Sequence, residues 1–155
     1  MIGSVRIRAS DTSIPPAAAR RQRQAEAVAA IASATNLAEE ALPRFIASLT
    51  EVAVAVCDVA RVGVWLFEPD GRALACADVY TRETRQHAAG ERFREEDFRT
   101  TFAALRAAKF IDAHDARQDP RTAALLDGYL APHDIRSRLD AVIRSGEREL
   151  GVLSC

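Results

Sequence analysis

The sequence predicts an α+β fold, one antiparallel sheet with helices on both sides, and three observations carry that prediction. Residues 62–68 (VGVWLFE) are apolar on both alternating faces, as a strand must be when both sides of its sheet are covered. Turn signals at Pro69-Asp70-Gly71 and Ser145-Gly146-Glu147 each join two strand-like runs, and tight hairpins require antiparallel neighbours. Between the hairpins, apolar residues recur at helical spacing, so helices must pack on the sheet they interrupt.

The totals are consistent with one domain. A chain of 155 residues, 48% hydrophobic and 28% charged, is long enough to bury a core. A formal net charge of -1 argues against non-specific nucleic-acid binding, which needs a basic face to displace counterions. No apolar run approaches the roughly 18 residues that cross a bilayer, and the amino terminus lacks the apolar core of a secretory signal. The expectation is a cytoplasmic protein without membrane partners. Cys57, Cys76 and Cys155 show no C-x-x-C spacing and are expected as thiols.

In chain order, residues 1–16 lack a sustained period and end in Pro15-Pro16, which predicts a flexible arm before a domain spanning 17–155. Residues 17–34, rich in Ala, Arg, Gln and Glu, suit a helix whose thin apolar stripe (Val28, Ile31) wants a partner. That partner is either the same domain or a second copy. Asn36 and Glu39 resemble a capping box, and Leu42, Phe45, Ile46, Leu49, Val52, Ala53 and Val56 continue as an amphipathic helix beginning near Glu40. The first hairpin comprises 62–68 and 72–80, followed by a polar loop over 81–90. Glu95, Glu96 and Asp97 place negative charge where a helix is expected to begin, and Phe98, Phe102 and Leu105 form its stripe. Residues 109–114 read as a third strand. Asp119-Pro120 then predicts a capped helix to about Leu130, stopped by Pro132. Residues 136–144 and 148–155 close the chain as a second hairpin.

These segments together resemble a GAF domain, the sensory module common in bacterial histidine kinases and cyclic-dinucleotide enzymes. The resemblance rests on Val64-Trp65-Leu66-Phe67-Glu68-Pro69-Asp70-Gly71, the run 111–122 (IDAHDARQDPRT), residues 129–143, and the closing Gly151-Val152-Leu153. It covers about residues 36–155. It implies a helix beyond the last strand that this chain lacks, so the chain is expected to be a fragment or to have that face covered by something else. Arg138 and Val142 stand where close relatives more often carry a Met-like residue and a Pro. The phytochrome-like branch attaches a bilin through a Cys before Tyr129; residues 123–128 hold none, so a covalent bilin is not expected.

Along 136–144, Leu139, Ala141 and Ile143 alternate with Arg138, Asp140 and Val142. The first set is expected to face a helical layer. The second places a cation and a carboxylate on the face that, by resemblance, floors the GAF pocket. Tyr129 would overhang it, Phe98 and Phe102 would close it from the other helix, and Trp65 would lie on the central strand. Trp65, Phe98, Phe102, Tyr129, Arg138 and Asp140 are therefore the candidate ligand-binding residues, suited to a zwitterionic or amide-bearing molecule. In the competing arrangement Arg138 and Asp140 simply pair with each other, or with Arg117 or Arg121 as the carboxylate's partner, beneath a collapsed pocket.

No metal site is expected. Adjacent His114 and Asp115 point to opposite faces, while His87 and His133 are read as loop residues without ligand spacing. His114 is expected to bond to backbone, and Asp115 and Asp119 to hold their loop through Asx-type bonds, with Arg117 or Arg121 as ionic partner. By resemblance the expected function is a non-catalytic, small-molecule-sensing regulatory domain that signals through helix rearrangement in a homodimer to an output domain outside this chain. The cofactor is unknown. The alternatives are a ligand-free dimerisation platform and, in a further GAF branch, thiol reduction of free methionine sulfoxide, which would need two cysteines to meet beside a pocket.

Overall fold

The computed structural model describes residues 41–155 together with Ala19 and Gln22. Ala19 and Gln22 are helical; otherwise the expected helix over 17–34, like the arm before it and the Asn36–Glu39 box, lies outside the described residues. The described elements are α1 (Leu42–Cys57), β1 (Arg61–Phe67), β2 (Ala73–Thr81), β3 (Gln86–Ala88), β4 (Arg92–Arg94), α2 (Arg99–Ala107), β5 (Phe110–Ala113), β6 (Arg138–Ser145) and β7 (Arg148–Ser154). The strands form one antiparallel sheet in the order β3-β2-β1-β7-β6-β5, with β4 also pairing β2.

β1 is central, as its two-sided apolar pattern requires, flanked by β2 and β7. Gly71 at φ 70° completes the turn, its N–H donating to the Glu68 carbonyl at 2.8 Å, while Asp70 accepts from the Arg72 N–H. Gly151 on β7 is required by close approach, because a Cβ there would meet the Trp65 carbonyl oxygen at 2.2 Å.

Cross-strand pairing sorts the side chains onto two faces. Trp65, Cys76, Val142 and Val152 share the face covered by α2 and the segment around Tyr129, with Phe102, Leu105, Leu125 and Leu130 packed above them. On the opposite face α1 lies across β1 and β2. Its buried Thr50 hydroxyl is 2.5 Å from the Asp78 carboxylate. Because α1 covers only that half of the sheet, Leu139 is 47% exposed and Phe110 56% exposed. The expected packing of Leu139 on a helical layer is thus not seen among the described residues.

Four local readings are corrected. The supposed polar loop over 81–90 contains edge strand β3, too short and polar to show a period. Glu95, Glu96 and Asp97 precede α2 in a turn rather than opening it; Phe98 is the N-cap and Arg106 pairs back to Glu95. Asp119-Pro120 starts no regular helix. Asp119 accepts from its neighbour's backbone, Arg121 N–H at 2.8 Å, and its carboxyl is held down at about 2 by the Arg121 guanidinium. A 3₁₀ turn (Ala123–Leu125) and a π-helical turn (Leu126–Leu130) follow instead. The π turn widens the backbone just where Tyr129 must reach the sheet.

His87 is likewise no loop residue: it sits on β3 and ties it to α1. Its Nδ1 lies 3.0 Å from both Asp78 carboxylate oxygens and its Nε2 lies 3.0 Å from Glu51. Both ring nitrogens face acceptors, so only the imidazolium can donate to both. The Asp78 hydrogen bond, more than the burial that opposes it, raises the His87 pKa above 6.5. A raised histidine pKa stabilises fully below the unfolded value and is lost as pH rises through the folded one. His87→Gln is therefore expected to lower stability by about 1 kcal/mol or less near pH 6, after discounting for solvent screening, and to change nothing above the folded pKa. Urea melts of both proteins from pH 5.5 to 9 measure this; a pH-independent difference would refute the latch.

Candidate functional site

Beside the aromatic core, where the strands emerge at one end of the sheet, lies a cleft of about 820 Å³. Its floor is made by Gly63 of β1, Ala113 of β5 and Ser154 of β7, three small residues on the face beneath Tyr129. Residues 57–60, where α1 turns into β1, form one wall, and residues 133–138 form another. The turn out of α1 passes through Asp58 at φ 57°, a left-handed conformation that Asp tolerates better than most residues.

Arg138 and Asp140 stand two residues apart on β6, hence on one face. They bond to each other, Arg138 Nε donating to Asp140 Oδ1 at 2.7 Å, and Ser154 Oγ donates to the same oxygen at 2.6 Å. Asp140 is wholly buried and Arg138 is 8% exposed. Burial works against the guanidinium's charge, but Asp140 outweighs it and the Arg138 pKa is raised. Tyr129 is the roof. The guanidinium carbons of Arg61 and Arg138 stand 5.5 and 5.6 Å from its ring centroid. Burial, then the two arginines in the opposite sense, set the Tyr129 hydroxyl above its ordinary pKa. Burial, joined by Arg61, lowers that of His133, whose ring meets Tyr129 edge-on at 5.0 Å.

Of the six candidate residues, Tyr129 and Arg138 border the cleft. Asp140 lies behind Arg138. Trp65 stacks on Phe93 at 4.5 Å and meets Tyr129 edge-on, Phe102 is 1% exposed against Phe67, and Phe98 packs on Phe93. The aromatic residues thus fill the space beneath α2, and the open volume lies towards Gly63. Arg138 does pair with Asp140, but without closing the cleft. Arg117 bonds Asp134 instead, at 2.7 Å, and the Arg121 guanidinium pairs with Asp119 as the ionic partner expected there, beside the Asx-type bond from the Arg121 N–H. His114 is exposed at the cleft rim.

Sequence reasoning missed Arg61, Gly63 and Ser154. The signal was present: alternation back from Trp65 puts Gly63 and Arg61 on the same face. Cys57 and Cys155, far apart in sequence, both line the cleft; burial first, then Cys57, pushes Cys155 up to about 12. No group of acidic, His or Cys side chains among the described residues is arranged to hold a metal ion.

A sequence profile of the GAF domain matches residues 41–155. The chain belongs to the GAF family. Among solved structures, this GAF domain resembles the phycocyanobilin-bound GAF domain of a cyanobacterial phytochrome, at 17% identity over 92% of this chain and 80% of that one, TM-score 0.63. It also resembles free methionine-R-sulfoxide reductase from Neisseria meningitidis in complex with its substrate, at 17% identity over 92% and 75%, TM-score 0.64. The cyanobacteriochrome TePixJ GAF domain follows at 18% identity over 77% and 73%, TM-score 0.58. No curated protein matches the sequence. Among the described residues no helix is long and apolar enough to cross a membrane.

The buried pair predicts a large stability effect. Arg138→Met strands the Asp140 carboxylate with Ser154 as its one remaining hydrogen-bond donor and is expected to cost about 3–5 kcal/mol, read as a shift of the urea midpoint. The double variant Arg138→Met/Asp140→Leu should recover most of that loss. A single variant as stable as the parent would contradict the burial described here.

Proposed function

We propose that this GAF domain is a small-molecule-sensing regulatory module of a bacterial signal-transduction protein, non-catalytic and cytoplasmic. One observation carries the reading: an open cleft bordered by the buried Arg138–Asp140 pair and by Tyr129, a concave space in which small floor residues meet polar groups held in fixed positions. Residues 57–60, directly after α1, line the same space, so a ligand touching that wall bears on the helix. A ligand that binds two positions of α1 unequally shifts their populations. In a parallel homodimer that shift passes through the preceding helix to an output domain elsewhere in the protein. The bilin named with the phytochrome relative and the substrate named with the reductase support a ligand in this fold, while residues 123–128 offer no Cys for covalent attachment.

The test is native mass and ultraviolet–visible absorption of freshly purified protein. A retained small molecule, lost in Tyr129→Ala, is the expected result. A mass equal to the bare chain would favour a ligand-free dimerisation platform.

The presence of both Cys57 and Cys155 in the cleft lining favours one second reading, thiol redox chemistry beside the pocket. The high Cys155 pKa opposes it, because the thiolate is the reactive form. Thiol titration before and after peroxide separates the two, since the sensor keeps both thiols at peroxide levels that a redox enzyme would consume.

A further inference from the structure

The hydrogen-bond inventory at the inner end of the cleft is lopsided. Four buried side-chain atoms have no hydrogen-bond partner among the described residues: Arg61 Nε, Trp65 Nε1, Arg138 Nη1 and Asp140 Oδ2. Three are N–H donors, and two of those belong to guanidinium groups. A buried donor without an acceptor forfeits its desolvation energy, so such atoms are rare unless something supplies the missing acceptor.

The three donors belong to side chains gathered round one ring: the Arg61 and Arg138 guanidinium carbons and the Trp65 ring centroid lie 5.5, 5.6 and 5.5 Å from the centre of Tyr129. Arg61, Gly63 and Trp65 alternate along β1, and Gly63 pairs with Ser154 of β7, which is itself bonded to Asp140. The Trp65 indole nitrogen sits directly over Gly63, where an added Cβ would lie 3.0 Å from it. Gly63 and Ser154 are cleft floor, Arg61 and Arg138 are cleft wall, and both guanidiniums flank the Tyr129 ring. Arg138 is more than nine-tenths buried and spends Nε on Asp140, leaving Nη1 buried and without an acceptor. Nearby carboxylates do not use up these donors. Asp140 accepts two hydrogen bonds on Oδ1 and none on Oδ2, which leaves one carboxylate oxygen against three unpartnered N–H donors, and among the described residues no hydrogen bond joins Glu91 to Arg138.

We propose that the inner end of the cleft is an oxyanion seat, built from Arg138 Nη1, Arg61 Nε and the Trp65 indole N–H over the Gly63–Ser154 floor, and that the ligand of this domain is a small organic carboxylate whose body lies along the Tyr129 ring. This rests on the reading of the cleft as the ligand site and adds the chemical class. A carboxylate suits the seat because it accepts several hydrogen bonds through two oxygens, and guanidinium donors to it are charge-assisted. A neutral carbonyl could accept from the same donors but gains no ionic component.

An isosteric series decides the matter: benzoate, benzamide and benzylamine share a ring and differ in charge. Trp65 is the one tryptophan of the sequence, so its indole N–H gives a single resonance in a proton–nitrogen correlation spectrum. Benzoate should shift that resonance and bind about tenfold or more tightly than benzamide, the difference expected for a charged acceptor, with benzylamine inert. Arg138→Lys and Arg61→Gln should each weaken benzoate by about tenfold and leave benzamide little changed. Arg61, half-buried and outside the Asp140 pair, keeps the test alive if the Arg138 variant does not fold. Benzamide or benzylamine moving the indole resonance where benzoate does not would overturn the carboxylate class while leaving the receptor intact. Silence from all three, with a bare native mass, would overturn both. Benzoate binding that ignores Arg61 and Arg138 would overturn the seat.

Discussion

Arg138 and Asp140 put a full positive and a full negative charge inside a sheet, and most features of this end of the domain follow from keeping them there. Removing two ions from water is costly, and their mutual attraction offsets the loss only with good geometry and further hydrogen bonds. β6 supplies the geometry, because a two-residue spacing puts both side chains on one face at 2.7 Å. Ser154 on β7 supplies the further donor to Asp140. Tyr129 covers the guanidinium from above with an aromatic face, an arrangement that a cation favours. Three separate elements must therefore meet correctly for the pair to be tolerable.

The same arrangement explains where the domain is full and where it is open. Trp65, Phe93, Phe98 and Tyr129 contact one another ring to ring, and Phe67 and Phe102 meet in the same layer, leaving no room for a ligand under α2. Towards the start of β1 the floor drops to Gly63, Ala113 and Ser154, and the walls are arginines whose heads cannot pack like phenyl rings. Open volume thus coincides with the boundary between an apolar core and a buried ionic network.

On the opposite face, α1 is fastened near the edge of the sheet by polar contacts rather than by area alone. Thr50 and Glu51, adjacent on the helix, reach Asp78 and His87 on neighbouring strands. At its C-terminal end the helix runs into the cleft wall through Asp58. The directional contacts thus pin the helix at its middle and at its C-terminal end.

How much of this was legible depends on the range of the interaction concerned. Periodicity and turn chemistry are local, so the sequence alone determined α1, the central β1, both hairpins and the alternation that sets Arg138 and Asp140 on one face. Signals of the same local kind misled where tertiary contacts outweighed them. Asp119-Pro120 reads as a helix start, but Arg121 takes the Asp119 side chain and Tyr129 must reach Trp65, so 3₁₀ and π turns replace the helix. His87 is a loop residue until Asp78 and Glu51 are brought beside it. Only the tertiary structure decided that Arg61, 77 residues from Arg138 along the chain, shares its tyrosine. That convergence depends on β7 lying between β1 and β6, a choice of strand order that pairs distant segments and leaves no trace in the spacing of residues along either strand.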